Sequence, residues 1–125
     1  MKIDELIRLK NALFEEANKL TVAKGRGYGS EEDTFLNLKL IEFIGVVDST
    51  VGTYVRLSDK IVRLGRIIKM GESYVGFEGF VDTILDIINY ATYIPALKYE
   101  KDASFKNTFD IRFLRGNSIR GGGCG

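Results

Sequence analysis

The stretch Phe77 to Ile94 carries Glu78, Asp82, Asp86 and Asn89 at helical spacing. Residues four apart nearly eclipse on an α-helix, so these side chains fall within an arc of about 80°. Phe80, Val81, Ile84, Leu85, Ile87, Ile88 and Ala91 make a broad apolar side opposite them. Three carboxylates stacked on one helix repel one another by a few tenths of a kcal/mol per pair. No cation stands at i+4 to relieve them. Such a row suits a hard divalent cation that takes oxygen ligands and holds phosphate, Mg²⁺ or Mn²⁺. Glu78, Asp82 and Asp86 are therefore candidate metal ligands; a solvated face on an amphipathic helix is the plainer alternative.

A second charged set lies upstream, in Thr53 to Met70. Arg56, Asp59, Lys60 and Arg63 share an arc of about 100° on a helix. Three cations against one acid make a plausible phosphate clamp, because guanidinium and ammonium groups give charge-assisted hydrogen bonds to phosphate oxygens. The alternative is surface ion pairing of Asp59 with Arg56 or Arg63, worth under about 1 kcal/mol. Further candidates are Arg26 and Tyr28, within the Gly-rich run Lys24 to Ser30, and Asn37, set among apolar residues. The Gly-rich run lacks the GK[ST] ending of a P-loop, but backbone N–H groups in such a turn can still cradle an anion. Asn37 and Asn89 are suited to reading a sugar or base edge, or to satisfying buried backbone groups.

Composition removes many other chemistries. The 125 residues include no histidine and a single cysteine, Cys124, so Ser-His-Asp and Cys-His arrangements, His-based zinc sites and an internal disulfide are excluded. Any hydrolysis must run on carboxylates, Lys, Tyr or a bound metal. The net charge of +1 argues against nucleic acid or an anionic membrane as partner. No apolar run approaches a membrane span of about 18 to 20 residues and no signal peptide is evident at Met1-Lys2-Ile3-Asp4, so the expected location is the cytoplasm.

These side chains need helices to position them. Ile3 to Leu20 has the apolar spacing of a helix with one buried face, through Ile3, Leu6, Ile7, Leu13, Phe14, Ala17 and Leu20. Lys24 to Ser30 reads as a loop and Ser30 as the N-cap of a second helix running to about Ile44. Gly45 to Gly52 reads as a connection with a helix start at Ser49 or Thr50. The next helix shows a stripe of Tyr54, Leu57, Ile61, Leu64 and Ile68, with Gly71 as its C-cap. Pro95 is expected to end or kink the acid-bearing helix, with Ala96 to Lys101 continuing it for a turn or so. Phe109, Ile111 and Phe113 alternate with Asp110, Arg112 and Leu114, which is strand period. The expectation is an all-α bundle of four to five helices over residues 1 to 101, followed by a C-terminal strand or arm and a Gly-rich tail over 102 to 125. The two charged helices, joined by about five residues, should be antiparallel neighbours with their charged faces together.

The motifs resemble a known family. GYG at 27 to 29, Phe35-x-Asn37, Val55-Arg56-Leu57-Ser58-Asp59-Lys60-x-x-Arg63-Leu64 and Glu78-x-x-x-Asp82-Thr83-x-Leu85-Asp86-x-x-Asn89-Tyr90-Ala91 resemble the nucleotide modification associated domain 1 family. That family is small, often phage- or virus-borne, and similar to the all-α MazG-like nucleoside triphosphate pyrophosphatases. The resemblance spans about residues 24 to 94 and implies a nucleotide ligand, Mg²⁺ and a dimer or tetramer. MazG-like enzymes set an E-x-x-E pair against an E-x-x-D pair. Glu78 and Asp82 resemble the second pair at one residue wider spacing, while only Asp59, followed by Arg63, stands where the first is expected. Two functions follow as expectations. One is a Mg²⁺-dependent nucleoside triphosphate pyrophosphohydrolase, with Glu78, Asp82 and Asp59 as catalytic acids and Arg56, Lys60, Arg63, Asn37, Tyr28, Asn89 and Arg26 on the nucleotide. The other is a non-catalytic protein that sequesters a nucleotide or cyclic-nucleotide signal.

Overall fold

Two long helices form the centre. The computed structural model describes residues 1–28, 35–45 and 47–115, and at 25–28, 36–38, 41 and 72 the backbone alone. Helix α1 spans Ile3–Tyr28, α2 Leu36–Phe43, α3 Ser49–Met70, α4 Gly76–Lys101 and α5 Ala103–Phe109. A 3₁₀ turn, Glu72–Tyr74, links α3 to α4, and a π-helical turn, Asp110–Arg115, follows α5. The described residues are an all-α bundle without a strand. None of their helices is long and apolar enough to cross a membrane.

Helix α3 begins where Asp48 turns extended and its carboxylate accepts from the Thr50 backbone N–H at 2.8 Å. It ends at Gly71, whose φ of 89° suits glycine and whose N–H reaches the Ile67 carbonyl at 2.8 Å. The chain then reverses, and α4 runs back along α3. The seam between them is packed with small hydroxyl residues: Ser49 and Thr53 on α3, Thr83 on α4, all buried. Thr53 and Thr83 return their hydroxyls to carbonyls four residues back, Ser49 and Gly79, at 2.8 Å each. That leaves the hydroxyls satisfied and lets the two backbones approach.

Helix α4 touches α1, α3 and α5. It passes Pro95 and continues through Ala96 to Lys101, as expected. An interior proline costs about 3 kcal/mol. Here the last turns are anchored from outside. Leu97 is fully buried, and the Lys101 ammonium donates to Ser49 Oγ at 2.7 Å, Glu42 Oε2 at 3.1 Å and Asp48 Oδ2 at 3.2 Å.

Three expectations need correction. Lys24 to Tyr28 is the last turn of α1, not a loop. Two residues bind that end to α4: Lys24 to Asp86, and Thr21 to Asn89 and Tyr93. Tertiary contacts thus outweigh the roughly 1 kcal/mol that each helical glycine costs. Phe109 to Phe113 is helical, not a strand. The same phenylalanines also fit a four-residue period with Phe105, and their rings meet at a tilt in that order, centroids 6.0 and 5.0 Å apart, while Tyr99 meets Phe109 edge-on at 5.7 Å. Asp102 caps α5 by accepting from the Phe105 N–H at 3.0 Å. The third correction concerns apolar stripes. Of the α1 stripe only Ala17 is buried, and Ile3, Leu6, Ile7 and Phe14 are exposed. On α3, Tyr54, Ile61 and Ile68 face outward and the buried residues are Ser49, Thr53 and Ile67. The expected N-cap at Ser30 lies outside the described residues.

Candidate functional site

The antiparallel α3–α4 pair sets Lys60 of α3 against Asp86 of α4. Lys60 Nζ sits 3.0 Å from Asp86 Oδ2. Lys24, from the end of α1, approaches the other carboxylate oxygen at 3.3 Å. The Asp86 side chain is only 14% exposed, so one sheltered carboxylate ties three helices together. One turn away Arg63 Nε donates to Thr83 Oγ1 at 3.1 Å, which fixes the root of that guanidinium.

Beyond these contacts, between α3 and the 3₁₀ turn, lies an open cleft of about 380 Å³ lined by Asp59, Lys60, Val62, Arg63, Arg66 and Tyr74. Three cations, one acid and one phenol face the same space. A small phosphate ester fits that volume, which falls in the range of about 300 to 1,000 Å³ usual for small-ligand sites. The guanidinium groups offer several parallel N–H donors, and the Tyr74 ring, half exposed, offers a flat apolar surface.

The predicted residues divide. Lys60, Arg63 and Asp59 line the cleft. Arg56 is half-buried on α3, a turn before them, and is not in the lining. Glu78 and Asp82 are exposed on α4 and are not in it either. Among the described residues no three acids gather as a metal would require, so Glu78, Asp82 and Asp86 do not form a joint cage within one chain. They lie along one helix rather than around a point, and Asp86 is engaged by two lysines. Asn89 is 6% exposed and accepts from the Thr21 hydroxyl at 3.2 Å; Tyr93 meets the same hydroxyl at 2.7 Å. It joins α1 to α4 rather than facing the cleft. Arg26, Tyr28 and Asn37 lie in helices, and their side chains fall outside the described residues.

Sequence reading missed Arg66 and Tyr74, and read Lys24 as part of an anion-holding loop rather than as a partner of Asp86. Arg66 continues the period of Asp59 and Arg63 by one more turn, a signal present in the spacing. Tyr74 enters only because Gly71 folds the chain back. Lys24 reaches Asp86 because α1 extends past its glycines. Compared with family models, with curated proteins and with solved structures, the chain matches none of them.

Proposed function

We propose that this chain is a nucleotide-binding protein that holds its ligand in the α3 cleft. The phosphates lie against Lys60, Arg63 and Arg66, and the base or sugar against Tyr74. The observation that carries this reading is the lining itself: three cations and one acid on one small cleft, in a protein whose net charge is only +1. Such local excess is what phosphate recognition needs. The resemblance of the RLSDK-x-x-RL motif to the nucleotide modification associated domain 1 family points the same way. Binding without turnover is the first reading, because the cleft lining carries three cations and a single acid.

The second reading, a Mg²⁺-dependent nucleoside triphosphate pyrophosphohydrolase, is favoured by the ladder of Glu78, Asp82 and Asp86. A thermal-shift panel of nucleotides with and without Mg²⁺ tests both, since a ligand that binds only the native state raises its stability by mass action. Stabilisation that persists in EDTA, with intact nucleotide recovered after denaturation, is the expected result. Mg²⁺-dependent release of pyrophosphate, abolished by Asp82→Asn, establishes the hydrolase instead. No shift with any nucleotide, together with none from Arg63→Ala or Arg66→Ala, rejects the nucleotide reading altogether.

A further inference from the structure

Helix α3 is turned inside out. Its side against α4 carries Ser49, Thr53, Lys60 and Ile67, while Val51, Tyr54, Val55, Ile61, Val62 and Ile68 are each at least half exposed on the opposite side. Those outward positions repeat as a heptad seam: Val51, Ser58 and Gly65 in one row, Tyr54, Ile61 and Ile68 in the other. One row is small or slender and the other is large. A Cβ built on Gly65 meets nothing within 4 Å, so its emptiness serves no contact inside the chain.

We propose that this seam is a self-association surface, covered by α3 of a second copy running antiparallel about a two-fold axis. In such a pair the sequence numbers of facing residues have a constant sum, and the seam is self-complementary on that rule. Val51 of one copy faces Ile68 of the other, Tyr54 faces Gly65, and Ser58 faces Ile61, each small side chain opposite a large one. A foreign partner would not require that symmetry. The exposure of apolar side chains agrees. Among the described residues four hydrophobic side chains are buried and twenty-two large ones are exposed, a balance expected of a chain that completes its core by association. Val62 stands beside the seam and also lines the α3 cleft, so pairing walls the cleft on that side whatever it binds.

Sedimentation velocity on the full chain at about 100 µM tests this. A mass of two chains is expected; a monomer overturns the proposal. Ile61→Glu and Gly65→Leu should each weaken association at least tenfold while circular dichroism stays helical, because Ile61 is half exposed and a Cβ at Gly65 meets open space. A dimer untouched by both changes places the interface elsewhere and overturns the seam. As a check independent of those variants, Tyr54→Cys with Gly65→Cys, in a Cys124→Ser background, should form an interchain disulfide on oxidation. Within one helix the two positions are about 16 Å apart and cannot bridge. Absence of that cross-link, with both cysteines titrating as free, overturns the antiparallel pairing.

Discussion

Lys60 Nζ lies 3.0 Å from Asp86 Oδ2, and Lys24 Nζ lies 3.3 Å from Oδ1 of the same carboxylate. One acid on α4 thereby restrains two cations from different helices. Lys60 also lines the α3 cleft, so Asp86 holds part of its charge back from any anion there.

Asp86→Asn should therefore raise affinity for a phosphate ligand severalfold while lowering stability. The amide keeps the shape but loses the charge that two lysines face, and a charge-assisted contact of this kind is worth about 1.5 to 3 kcal/mol. Urea unfolding and ligand titration on the same variant read the two effects separately. If affinity falls instead, Asp86 orients Lys60 for the ligand rather than competing with it.

Arg63→Ala and Arg66→Ala should each weaken nucleotide binding about tenfold, the equivalent of roughly 1.4 kcal/mol. Arg63→Lys should recover little, since an ammonium cannot both donate along the chain to Thr83 and present a fork to phosphate. Isothermal titration of the three variants against one nucleotide gives the ranking.

Thr83→Val removes a hydroxyl that accepts from Arg63 Nε and donates to the Gly79 carbonyl, at a position 2% exposed. The expected loss is about 1 to 2 kcal/mol, because the guanidinium root is left without its buried acceptor. The midpoint of denaturant unfolding should fall with no change of slope.

Gly79→Ala should destabilise the chain, although alanine is the better helix former. The added Cβ would lie 2.7 Å from Val75 Cβ and 3.0 Å from its Cγ2, at the residue that precedes α4. The first turn of α4 must shift, and overpacking of this kind costs about 1 to 3 kcal/mol. Thermal melting of the variant is the measurement; a rise in Tm would show that the turn yields freely.

Acid should loosen the start of α3. The Thr50 N–H, and then Lys101, hold the Asp48 carboxyl below its ordinary value of 3.8. A depressed carboxyl contributes stability that is present above the unfolded value and is lost as pH falls through the folded one. Burial acts to lower the Lys101 pKa, but hydrogen bonds to Glu42 and Asp48 outweigh it, so the ammonium is held above 10.5. Its share is complete below that value and is lost as pH rises through the folded pKa. Asp48→Asn keeps a capping oxygen but does not titrate. Its melting temperature should vary less than that of the parent chain below about pH 4, and a parallel decline in both would remove Asp48 from the acid transition.

Local pattern carried the helices of this protein. The eclipsed acids of α4, the cations of α3 and the Gly71 stop were all legible because they depend on a period of 3.6 and on one residue's φ. The antiparallel pairing of those helices was legible too, since a short connection leaves few other arrangements. Patterns that fit two periods misled: Phe109 and Phe113 alternate, yet they also stand four apart, and the contacts of Phe109 with Tyr99 and Phe113 chose the helix. Glycines 25 and 27 signalled a loop, yet contacts from α1 to Asn89 and Asp86 carried the helix through them.

Sequence by itself determined that this chain would be helical, without histidine chemistry, and charged in two complementary stripes. Tertiary structure alone decided which side of α3 faces inward, that Asn89 is a buried tie between helices, and that Arg66 and Tyr74 share a cleft with Lys60 and Arg63. A helix with one polar and one apolar side can bury either, and periodicity is the same in both cases. The choice rests on what the neighbouring helix presents, and α4 presents Thr83 and Asp86, which demand hydrogen-bond and charge partners that only the polar side of α3 can supply.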